Sequence, residues 1–148
     1  MAEEPMTSGR RYAMSPPNVE IVHRFFDAFE RRDREGVAAV LHARVEWRSI
    51  AAPLVGVEAM HGRDEALRFL FEQIAEGIED FRAILEEVRD LPRDQVLAVA
   101  RYEGRGIASG TEVRMAAAAI WRFEANQIVF FQDFATRDEA LEAAGRVK

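Results

Sequence analysis

The chain has 148 residues, 49% of them apolar and 31% charged, the make-up of one ordinary globular domain long enough to bury a core. Its formal net charge of −6 argues against nucleic acid or an anionic membrane as the main partner, since both select a basic surface. It has no cysteine, which excludes disulfides, thiolate metal sites and cysteine nucleophiles, and no apolar run nears the roughly 20 residues that span a bilayer.

Residues 1–15 carry Glu3, Glu4, Pro5, Ser8 and Gly9 with few large apolar groups, so a disordered tail is expected before a single domain over 16–148. Arg10-Arg11 is followed by no apolar run of the kind export signals carry, and a cytoplasmic location is the expectation. Asn18, behind two prolines, caps a helix over about 18–32, with Val22, Phe25, Phe26 and Phe29 at helical spacing. Asp33 caps a shorter helix carrying Val37, Val40 and Leu41. Val45–Ile50 reads as a strand with Val45, Trp47 and Ser49 on one face. After a loop over 51–60, a third helix spans about 63–78, with Ala66, Leu67, Leu70, Phe71 and Ile74 as its apolar stripe and Gly77 at its end.

From Asp80 the period changes to alternation. A strand leads to a turn at Pro92-Arg93-Asp94, and an apolar strand follows over 96–102. Gly104, Gly106 and Gly110 then punctuate a loop or hairpin tip. Two more strand-like runs flank a polar turn at Glu124–Gln127, and a short helix closes the pattern. Ala116–Ala119 is a good helix former, but its flanks (Val113, Ile120, Trp121, Phe123) favour a strand. Helices first and a meander of strands afterwards predict an α+β domain with helices on one face of an antiparallel sheet.

One acid, Asp133, sits among the aromatics of the last strand, where burial would raise its pKa towards the range of proton transfer. The competing reading is a structural pair with Arg137 or Arg122. Tyr102 is read as inward-facing and Arg101 as its outward neighbour. Ser49 has no base beside it in sequence and is not read as a nucleophile. His23, His42 and His61 lack the i, i+4 spacing of a helical metal pair, so no metal and no other cofactor is expected; His23 is placed near the pocket mouth.

Five segments resemble the nuclear transport factor 2-like superfamily in its SnoaL-like branch: residues 25–33 (Phe-Phe-Asp-Ala-Phe-Glu-Arg-Arg-Asp), 45–47 (Val-Glu-Trp), 61–66 (His-Gly-Arg-Asp-Glu-Ala), 121–128 (Trp-Arg-Phe-Glu-Ala-Asn-Gln-Ile), and Gln-Asp-Phe with Asp-Glu-Ala-Leu within 132–141. The resemblance implies a cone-shaped curved sheet wrapped around three N-terminal helices, with a pocket inside and a homodimer through the outer sheet face. It also implies that an acid on the last long strand, here Asp133, can serve as a cyclase-type acid/base. A ketosteroid-isomerase-like site would need a first-strand Asp, a helix Tyr and a later-strand Asp, where an ungapped reading finds Ser49, Phe25 and Ala116; that activity is not expected. An epoxide-hydrolase-like Asp-Arg-Asp relay would need Arg101 to face inward.

The leading expectation is a protein that binds a hydrophobic small molecule in a pocket lined by Phe25, Phe29, Trp47, Ser49, Phe71 and Phe131. The alternative is a cyclase-, isomerase- or dehydratase-type enzyme with Asp133 as general acid/base and Tyr102 as donor to a developing oxyanion. A homodimer is expected because Val129, Phe131, Trp121 and Ile120 together exceed what one sheet face can bury.

Overall fold

The computed structural model describes residues 17–146. The expected tail over 1–15 lies outside the described residues. α1 (Pro17–Glu30) buries Val22, Phe25 and Phe29, and α2 (Arg34–Val40) begins where the Asp33 carboxylate accepts from the Gly36 N–H. β1 (Leu41–Arg48) starts four residues earlier than its sequence pattern suggested, taking Leu41 from the end of the second helix. Leu41 pairs with Ile128 across the sheet, and that pairing outweighs its helical spacing. A short 3₁₀ turn (Ala52–Val55) and the two-residue β2 (Met60–His61) lead to the third helical region.

That region is not one regular helix. α3 (Arg63–Arg68) passes into a π-helical segment (Phe69–Gln73) and then α4 (Ile74–Gly77), with the Ile74 N–H donating to the Phe69 carbonyl five residues back. Four strands follow: β3 (Ile78–Leu91), β4 (Gln95–Gly106), β5 (Glu112–Glu124) and β6 (Gln127–Phe134); α5 (Arg137–Gly145) comes last, opened by a capping box between Thr136 and Glu139. β4 runs on through Gly104, where the sequence suggested a loop. A Cβ at Gly104 would meet Ile78 Cγ2 at 2.5 Å, so glycine there serves close strand packing rather than a turn.

The curved sheet has the order β2-β1-β6-β5-β4-β3. All neighbours are antiparallel except β1 and β6, which run parallel. Ala116–Ala119 is strand, paired with Arg101–Ala98 on β4. Tertiary pairing overrides the helix preference of alanine here. The hairpin joining β5 and β6 turns at Ala125 and Asn126, both at positive φ (54° and 63°), as a two-residue turn of matching twist requires.

The two faces of the sheet divide the apolar residues. Trp47, Val96, Ala98, Ala100, Tyr102, Ala117, Ala119, Trp121 and Phe131 join the helices in the main core. Leu97, Ala118 and Ile120 point the other way, under Ala140 and Ala144 of α5. This corrects the argument offered for a partner-covered face: Trp121 and Phe131 lie inside, and Ile120 is covered by the chain's own last helix. No helix among the described residues is long and apolar enough to cross a membrane.

Candidate functional site

Asp133 lies near the end of β6, in register with Ala119 on β5, which in turn faces Ala98 on β4. It shares the inward parity of Phe131 and is only 2% exposed. The Tyr102 hydroxyl donates to Asp133 Oδ2 at 2.5 Å, and the Ile50 backbone N–H donates to Oδ1 at 2.7 Å. Burial pushes the Asp133 carboxyl up to about 6, because desolvation of the charge outweighs the downward pull of these two donors. Burial, and then the adjacent carboxylate, push the Tyr102 phenol well above its ordinary value. Tyr102 is therefore a neutral hydroxyl near pH 7, while Asp133 changes charge close to it.

The alanine run explains how two residues so far apart in register meet. Tyr102 is aligned with Met115, four positions along β4 from the row that holds Asp133. Ala98, Ala100, Ala117 and Ala119 face inward on the stretch between them. Their small side chains leave a trough across which the phenol reaches Asp133. The arginines weighed as structural partners are elsewhere. Arg137 pairs with Glu87, and Arg122 lies over the Phe130 ring at 3.9 Å.

Tyr102 and Ser49 are the hydroxyl-bearing members of an interior cavity otherwise walled by aromatic and aliphatic groups. Phe25, Phe29, Trp47 and Phe131 line it together with Phe26, Phe81 and Trp121. Its volume is about 30 Å³, room for a water or two rather than for a polycyclic ring system. Trp47 and Phe131 stack at 3.9 Å between ring centroids, and Trp121 meets Phe131 edge-on at 4.7 Å, so the aromatics largely fill their own space. Asp133 stands behind the Tyr102 hydroxyl, and its other side borders an open cleft of about 240 Å³ that it shares with Ser49, Ile50 and Gln132.

Several expected site residues are placed differently. Phe71 does not line the interior cavity. It borders an outer cleft of about 370 Å³ and packs edge-on against Phe29, with the Arg34 guanidinium over its ring. The π-helical turn around Phe69–Gln73 gives its inward places to Phe69 and Leu70 instead. His23 is exposed and away from the cavity. His42 contacts Glu124, and His61 lies at the edge strand. Among the described residues no group of three or more His, Asp or Glu side chains is gathered closely enough to hold a metal ion. Ser49 Oγ accepts from the Ala51 N–H in a local turn. Arg101 points outward to Glu86 and Glu103, and among the described residues no arginine lines the cavity, so these residues assemble no Asp-Arg-Asp relay.

Ala116 is exposed, and its inward neighbours Met115 and Ala117 bring no acid either. Phe25 is buried between Trp47 and Trp121 with no hydroxyl to offer.

Sequence reasoning missed Trp121, Phe26, Phe69 and Phe81 as cavity walls and the Ile50 N–H as a ligand of the acid. Trp121 is aligned with Phe131, and Phe131 with Trp47, a row of three aromatics across three strands. Counting outward from the turn would have set Trp121 against Phe130. A bulge between Arg122 and Phe123 shifts the register by one.

The sequence profile of the SnoaL-like domain matches residues 22–131. The chain belongs to the SnoaL-like domain family. No curated protein matches its sequence. Among solved structures it is similar to an NTF2-like protein from Burkholderia thailandensis E264, with 26% identity, a TM-score of 0.71, and coverage of 90% of this chain and 100% of that one. It is similar to a putative SnoaL-like polyketide cyclase from Jannaschia sp. CCS1 (19% identity, TM-score 0.67, 93% and 98% covered). It is also similar to a LEH-like epoxide hydrolase from M. tuberculosis (13% identity, TM-score 0.64, 88% and 90% covered). These likenesses establish the NTF2-like fold, and fold alone assigns no reaction.

Proposed function

We propose that this SnoaL-like protein takes up a compact, largely apolar molecule in its aromatic interior and moves a proton on it through the Tyr102–Asp133 pair. The observation that carries this reading is a buried carboxyl, raised to about 6 and bonded to the phenol of Tyr102, which lines the cavity. Tyr102 is the group the ligand meets. With Asp133 neutral, the pair is an acid: Tyr102 gives its proton to the ligand as Asp133 replaces it. With Asp133 ionised, the pair runs the other way, as a base. A cyclase, isomerase or dehydratase step needs a transfer of this kind. The cyclase likeness supports that class; the missing inward arginine disfavours epoxide hydrolysis.

A second reading is binding without turnover, supported by cavity walls that carry two hydroxyls and no charged side chain among the described residues; the volume of about 30 Å³ limits the ligand to a compact one. Phe29, Leu70, Ile74 and Phe81 border both the interior cavity and the outer cleft, so a ligand would be admitted by displacing this layer. The homodimer is also part of the proposal, now resting on the half-buried Phe130 and Phe134 of the outer face. A monomer mass by light scattering at micromolar concentration removes it.

The test is a thermal-shift screen of hydrophobic ketones, phenols and epoxides, run on the wild type and on Asp133→Asn. Ligand at a hundred times its dissociation constant adds about 2.7 kcal/mol of stability. Under the enzyme reading Asp133→Asn keeps binding and loses turnover of the hits. Hits that neither protein converts leave binding alone as the function, and a panel without hits refutes both readings for these compound classes.

A further inference from the structure

Trp121 is 1% exposed, yet its indole Nε1–H finds no acceptor among the described residues. It lines the interior cavity. Its closest ring neighbours are aromatic: Phe131 at 4.7 Å, Phe25 at 5.3 Å, Trp47 at 5.6 Å and Phe26 at 5.8 Å between centroids. None of the four brings a side-chain acceptor such as a carboxylate, an amide or a hydroxyl. A buried donor left unpaired costs about 1–3 kcal/mol, and a phenylalanine would fill a sheet position between Val96 and Phe131 without that cost. The polar atoms that share the cavity are already engaged, Tyr102 with Asp133 and Ser49 with the Ala51 N–H.

We infer that the Trp121 N–H is a ligand-binding donor, reserved for an acceptor oxygen on the molecule that enters the cavity. The inference rests on the reading that the interior receives a ligand, and it adds that molecule's chemistry. Among the described residues no cationic side chain lines the cavity, and Asp133 stands behind its wall, so a carboxylate or phosphate would be buried there without a counter-charge. The ligand that fits is neutral, with an apolar body and a carbonyl or ether oxygen directed at Trp121. Trp121 thereby sets specificity between molecules of one shape, favouring the one that can accept a hydrogen bond.

Acetophenone and α-methylstyrene differ by one group, an oxygen against a methylene, and serve as matched probes. Their affinities are measured by NMR titration for the wild type and for Trp121→Phe. The ratio of acetophenone to α-methylstyrene affinity should fall about fivefold in the variant, the worth of one neutral hydrogen bond. The chain has two tryptophans, so the two indole N–H signals are assigned by comparison with Trp47→Phe. The Trp121 signal should move downfield with acetophenone and not with α-methylstyrene, a readout that holds even if Trp121→Phe does not fold. Probes that bind with an unchanged ratio and leave the Trp121 signal in place overturn the inference while the interior site stands. Neither probe binding the wild type at millimolar concentration overturns the inference together with that site.

Discussion

The two faces of the sheet are built from the same strands and obey opposite electrostatic rules. On the outer face, Arg101 pairs with Glu86 and Glu103, and Arg137 with Glu87 at 2.5 Å. Glu87 and Glu103 are held below the ordinary carboxylate range, by hydrogen bonds from Arg137 and Arg101 respectively. On the inner face Asp133 has two hydrogen-bond donors and no cation, and desolvation carries it the other way, to about 6. One residue of displacement along a strand separates the outward Arg101 from the inward Tyr102. Solvent lets the outer acids stay ionised at little consequence, whereas the inner acid is left near the point where its charge can be switched.

That contrast can be broken most severely at Asp133. A carboxyl raised in the folded state from 3.8 to about 6 favours folding fully below 3.8, and that advantage is lost as pH rises to about 6. The wild type should lose about 3 kcal/mol relative to Asp133→Asn between pH 3.5 and 7. Urea denaturation of both proteins across that range measures it, and parallel pH profiles would show that Asp133 is not buried in this way. Next in size, Ala119→Leu should fill the trough between Tyr102 and Asp133. Overpacking costs about 1–3 kcal/mol. Loss of the Tyr102 donor should also move the Asp133 titration above 6, read by carboxyl ¹³C NMR. Tyr102→Phe sharpens the point with a smaller disturbance: the same upward shift, without the added bulk. The smallest effect is expected outside, where Arg101→Gln should leave the urea midpoint unchanged within error, since exposed ion pairs contribute little.

The order of elements was legible because it depends on periodicities that survive local exceptions. The Phe25–Phe29 stripe, the turn at Ala125-Asn126 and the alternation around Tyr102 all follow from which side chains must be buried. Asp133 was legible as an acid amid aromatics. Its partner Ile50 was not, because a backbone N–H has no signature in sequence. Trp121 was hidden by a bulge, and Phe71 was misplaced by a helical segment that departs from 3.6 residues per turn. Each is a departure of about one residue, and one residue suffices to exchange the inside of this protein for its outside.

The π-helical segment carries that lesson into how the chain tolerates change in length. Its wider turn accommodates one residue more than an α-helix would over the same rise. Removing any one of Leu70–Gln73 would let the Ile74 N–H reach the Phe69 carbonyl as an ordinary i→i−4 bond and regularise the helix. Because the wide turn had taken up that extra residue, Ile74 and the residues after it would keep their orientation relative to Phe69 and those before it. A single-codon deletion here would alter the cavity only at the turn, through the side chain removed, and would leave the Tyr102–Asp133 pair in place.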